Sequence, residues 1–131
     1  MIWLVFGSAL AFDVKVLGVE GAGKVGCAVF RAAEGFPSDG KRAVAVAEVE
    51  ASKAVDGSVT CHFPNVEGGR VAVSVRHDVD GNGKLDTNVV GMPKEPFGFS
   101  RDAPLRTFGP PKFDDAAVDA RGTIEVTLRR P

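Results

Sequence analysis

The residue types best suited to chemistry gather in one stretch, 77–88, where His77, Asp78, Asp80, Asn82, Asp86 and Asn88 are punctuated by Gly81 and Gly83. Asp78, Asp80 and Asn82 take positions 1, 3 and 5 of a loop, Gly83 position 6, Lys84 position 7 and Asp86 position 9. A hard cation such as Ca²⁺ takes about six to eight oxygen ligands, and alternate residues of a tight loop converge on it only where the chain bends sharply. Gly83 supplies that bend, since a residue without Cβ reaches positive φ at little steric cost. Position 7 offers its backbone carbonyl, so Lys84 can ligate while its ammonium faces water. The set Asp78, Asp80, Asn82, Lys84 and Asp86 is therefore a candidate site for structural calcium.

The spacing also departs from the helix-loop-helix calcium motif. Position 12, where that motif has a bidentate Glu, is Val89, and the residues leading in alternate like a strand. The reading is a calcium loop grafted on a β scaffold, with further ligands from Asn88, Glu95, backbone or water. An Asx-rich turn without metal is the alternative, because Asp, Asn and Gly build turns through side chain to backbone bonds. Crowded carboxylates raise one another's pKa unless a cation is present, which favours the metal.

Period-2 patterning predicts strands over residues 12–19, 24–30, 43–50, 57–63, 69–77 and 123–129, with turn signals at Gly21-Ala22-Gly23 and Val55-Asp56-Gly57. The Ala-rich stretch 42–55 has helical propensity as a rival reading. Short strands without intervening helical periodicity predict an all-β antiparallel sandwich, immunoglobulin-like or transthyretin-like, with a long Phe/Pro-rich loop. In the clearest strand Val71, Val73 and Val75 face inward while Arg70, Ser74 and Arg76 face outward. That strand delivers His77 and the acidic loop to one end of the sandwich, where loops carry function.

Prolines at 93, 96, 110 and 111 exclude an interior strand across the segment that follows. Its four phenylalanines, Phe97, Phe99, Phe108 and Phe113, carry enough apolar area to order it. They are either an aromatic binding surface beside the cation site or a plug for the open end of the sandwich. A turn of helix is expected near residues 114–117.

The chain has 131 residues, with sixteen Lys and Arg against seventeen Asp and Glu, and no basic run. Near-neutral charge without aromatic-basic interleaving argues against nucleic acid as a partner. Residues 1–11 are uncharged and end in Ala9-Leu10-Ala11, which suits signal-peptide cleavage; the run is too short to span a bilayer. The expectation is a signal over 1–11 and a single domain over 12–131, secreted or periplasmic; a buried first strand is the alternative. Cys27 and Cys61 each share a strand face with apolar neighbours, so both thiols should point into the core. They are a candidate disulfide in an oxidising compartment, or two buried free thiols. His62 flanks Cys61 but alternation sends it to the opposite face, which disfavours a Cys-His nucleophile.

The string His77-Asp78-x-Asp80-x-Asn82-Gly83-x-Leu85-Asp86-Thr87-Asn88 is followed by Gly91-x-Pro93-x-Glu95-Pro96-x-Gly98-Phe99-Ser100 and Phe108-Gly109-Pro110-Pro111-x-Phe113-x-x-Ala116. This ordered set resembles the bacterial DUF2141 family, small exported proteins of unknown function. The resemblance implies a transthyretin-like or prealbumin-like sandwich and export, and no catalytic residues. Arg70, where an aromatic is expected, and the cysteine pair depart from the pattern. Two functions follow as expectations: an exported binding or structural module whose calcium loop holds the Phe/Pro flap for a protein or glycan partner in the envelope, or a metal-assisted hydrolase using His77, Asp78 and Glu95.

Overall fold

The computed structural model describes residues 12–79, 95–107 and 109–130. The expected signal at 1–11 lies outside the described residues. Among the described residues eight strands form two packed, mostly antiparallel sheets: β1 (Phe12–Leu17), β2 (Lys24–Phe30), β3 (Ala45–Glu50), β4 (Ser58–Phe63), β5 (Arg70–Asp78), β6 (Phe97–Phe99), β7 (Val118–Asp119) and β8 (Gly122–Thr127). One sheet has the order β4-β1-β8, with β1 antiparallel to β4 and parallel to β8. The other runs β3-β2-β5-β6, and β7 pairs with the start of β5 on the edge that β6 takes further along.

Alternation produces this architecture directly. Phe12, Val14 and Val16 of β1, Val25 and Val29 of β2, and Val71, Val73 and Val75 of β5 are buried in one core between the sheets. Each such side chain contributes about 1.5–3 kcal/mol by leaving water. The Asp-Gly signal is realised as a tight turn: Asp56 and Gly57 both have positive φ (54° and 76°), and Val55 and Ser58 exchange backbone hydrogen bonds at 3.0 and 3.1 Å. The Ala-rich stretch is strand at its centre, Ala45–Glu50, with a single 3-10 turn on either side (Gly40–Arg42 and Ala51–Lys53), because Ala45, Ala47 and Val49 pack inward while Val46, Glu48 and Glu50 face water.

The described rings of the Phe/Pro segment cover the outer face of a sheet and are not displayed to solvent. Phe97, Phe99 and Phe113 are buried (7, 6 and 7 % exposed) against Phe30 and Ala72 on the outer face of the second sheet. Phe36 stands edge-on to Phe30, Phe99 and Phe113, with centroids 5.4, 6.1 and 6.1 Å away. The proposed aromatic binding surface is thus corrected for these three rings to a second apolar layer; Phe108 lies outside the described residues. A four-residue helix, α1 (Phe113–Ala116), supplies the last ring.

Two small residues fasten this layer. Gly98 faces the sandwich interior between the two rings, and a Cβ there would lie 2.7 Å from Val126 Cγ1 and 2.8 Å from the Thr127 carbonyl. Its absence lets the chain close onto the end of β8, where Phe97 and Arg129 exchange backbone bonds at 3.1 and 2.7 Å. Ser100, fully buried, fills the gap between β6 and β7 along β5. Its hydroxyl accepts the Val73 N–H at 2.9 Å and donates to the Ala116 carbonyl.

Candidate metal centre

The end of β5 is built by three chain segments. The turn before β2 presses so close that a Cβ on Gly23 (φ +88°) would lie 2.1 Å from the Asp78 carbonyl oxygen and 2.6 Å from that of Val79. Only glycine fits such backbone-to-backbone contact at positive φ. The chain returning at Glu95 completes the other side, with the His77 N–H donating to the Pro96 carbonyl at 2.9 Å.

His77 is fully buried on the inward face of β5, and its Nε2–H donates to the Ala22 carbonyl at 2.7 Å. It therefore pins the turn before β2 to the core. Its Nδ1 is buried without a hydrogen-bond partner among the described residues.

Asp78 and Glu95 are the two carboxylates here, 5 and 7 % exposed. Glu95 Oε2 accepts the Val79 N–H at 2.8 Å, while Oε1 is buried and unpartnered among the described residues. Burying a carboxylate oxygen without a donor or cation costs about 1–3 kcal/mol, more when it is charged. Glu95 thus sits beside Val79 with one carboxylate oxygen lacking a partner among the described residues.

Asp80, Asn82, Lys84, Asp86 and Asn88 lie outside the described residues. Among the described residues no three His, Cys, Asp or Glu side chains are grouped closely enough to hold a metal. The structure brings Glu95 against Val79, just past the end of β5, whereas His62 lies on β4 in the other sheet. His62 is exposed on the opposite face from Cys61, with Nδ1 3.0 Å from Asp13 Oδ1.

Cys27 and Cys61 are buried, 2 and 0 % exposed, on the facing strands β2 and β4, and both are free thiols. Burial, followed by the neighbouring Cys61 thiol, pushes the Cys27 thiol well above its ordinary range. Residues not singled out by the spacing argument are Gly98 and Ser100, although both stand in the motif Gly98-Phe99-Ser100.

The molecule is thus a small β-sandwich that buries the carboxylates of Asp78 and Glu95 at one strand end. Residues 14–127 match the family described as an uncharacterized protein conserved in bacteria (DUF2141), and the chain belongs to that family. No curated protein and no solved structure matches it. Among the described residues no helix is long and apolar enough to cross a membrane.

Proposed function

We propose that this chain is an exported β-sandwich module whose loop, through Asp78, Asp80, Asn82, the Lys84 carbonyl and Asp86, holds a structural Ca²⁺. Glu95 acts as a further ligand and ties the Phe/Pro segment to the ion. The module serves in binding or as a structural component of the envelope, toward a protein or glycan partner. One observation carries the reading: the buried Glu95 carboxylate beside Val79, with an oxygen lacking a described partner. A cation at the loop would neutralise that charge and use that oxygen.

Titration calorimetry with Ca²⁺ and Mg²⁺ tests the proposal. Expected is one calcium site with Kd of about 10⁻⁴–10⁻³ M, the range of extracellular modules, and weaker Mg²⁺ binding, because Mg²⁺ demands a stricter octahedron. Asp80→Ala should abolish the heat. Absence of calcium binding by the wild type, or unchanged binding by Asp80→Ala, would refute it.

A further inference from the structure

We infer that Cys27 and Cys61 form a disulfide that staples the two sheets of the sandwich together. Cys27 lies in the middle of β2, with Val75 and Ala47 as its neighbours across the sheet, and Cys61 lies in β4, opposite Val14 of β1. Both side chains join the single core between the sheets, so a bond between them would cross the layer rather than run along one strand. β2 packs against β4 across the core, the Cys61 thiol adds to the burial that raises the Cys27 thiol, and both cysteines belong to the most enclosed part of the molecule. Facing sheets normally hold their side chains interdigitated, and two inward cysteines on facing strands of such a core are placed for a bond across it.

The chemistry balances with a disulfide oxidant. One cysteine, as thiolate, attacks a sulfur of a small-molecule or protein disulfide, releasing the first leaving thiolate and forming a mixed disulfide. The second cysteine thiolate then attacks its partner's sulfur and expels the other half of the oxidant as thiolate. Both protons of Cys27 and Cys61 end on the two thiols of the reduced oxidant, and two electrons pass with them. Because the finished core excludes such an oxidant, the bond forms as the sheets come together. It closes a loop of about 35 residues spanning β2, β3 and β4, which is long enough for the cross-link to restrict the unfolded chain strongly. This inference does not depend on the calcium proposal.

The full chain, unfolded and reduced, is refolded in a mixture of oxidised and reduced glutathione, quenched with acid and examined by intact mass. Expected is a monomer lighter by about 2 Da than the reduced chain, with a Cys27–Cys61 peptide in a non-reducing digest. Its Tm should exceed that of the chain refolded under reductant by about 10 °C or more. A refolded chain with two thiols still titratable in denaturant would overturn the inference, as would glutathione adducts alone, cross-linking only between chains, or a bond that leaves Tm unchanged. Cys27→Ala, which leaves no partner for Cys61 within the chain, supplies the mass and Tm of the uncross-linked fold.

Discussion

Replacing Glu95 by Gln separates a ligand from a structural carboxylate. The substitution keeps the shape and one carbonyl oxygen for the Val79 N–H, and it removes the buried charge whose Oε1 finds no described partner. In chelator, Glu95→Gln should therefore be at least as stable as the wild type, since a buried carboxylate without compensation is a cost. With calcium the order should reverse. At about 10 mM Ca²⁺ and Kd of about 10⁻⁴–10⁻³ M, binding to the folded chain alone adds about 1.4–2.7 kcal/mol. For a domain of about 120 residues the unfolding entropy is about 0.25 kcal/mol/K, so the wild-type Tm should rise by about 6–11 °C. Loss of an anionic ligand that weakens the site about tenfold reduces the rise to about 2–6 °C. Scanning calorimetry of both proteins, with chelator and with calcium, should show the two stabilities crossing. Equal calcium shifts in wild type and variant would refute Glu95 as a ligand. An equal loss of Tm in both conditions would make it a purely structural residue.

Two further outcomes follow from the core. Ser100→Ala leaves the buried Val73 N–H without its acceptor and removes the Ala116 carbonyl's donor, at a cost of about 2–4 kcal/mol. Urea unfolding should show this as a lower midpoint at unchanged slope, and a loss under about 0.5 kcal/mol would refute the bridging role. The Cys27 thiol, raised by burial and by Cys61, holds its proton in the folded chain after the unfolded chain has lost it. Under reductant its stabilising contribution is complete below about pH 8.5, the ordinary thiol pKa, and is lost as pH rises toward the folded value. The limiting slope is about −1.4 kcal/mol per pH unit. Urea unfolding from pH 7.5 to 10 should show this extra slope in wild type relative to Cys27→Ala, and parallel profiles would refute it.

The strands were legible wherever one face alone was buried. Val14 and Val16, Val25 and Val29, and Val71, Val73 and Val75 announce their parity, and the structure places them in one core. β3 was harder to read, because Ala45 and Ala47 favour helix by propensity and only packing against the core resolves the ambiguity. The cover over the outer face of β5 was not legible for a related reason. Arg70, Ser74 and Arg76 do face outward, yet Ala72 on the same face is fully buried and Ser74 donates to the Pro37 carbonyl at 2.8 Å. Their cover comes from residues about thirty positions away, and no local period can report a layer contributed by a distant loop. The three-residue β6 and two-residue β7 are likewise too short to carry a period, and they exist because β5 offers them a free edge.

The strand-end chemistry has a similar division. Loop spacing alone nominates the ligands at 78–86, but it says nothing of why Glu95, far outside the loop, should belong with them. The fold gives the reason through the aromatic layer. Phe97 and Phe99 lock β6 against β5, Gly98 lets that strand close on β8, and Ser100 fixes the register at Val73. With β6 held, the Pro96 carbonyl must meet the His77 N–H, and Glu95 falls beside Val79. The rings that first suggested a binding surface thus act through position: they set the Glu95 carboxylate beside Val79, just past the end of β5. Weakening the layer should therefore weaken calcium binding without touching a ligand, which links the motif Glu95-Pro96-x-Gly98-Phe99-Ser100 to the Asp-rich loop in one physical chain.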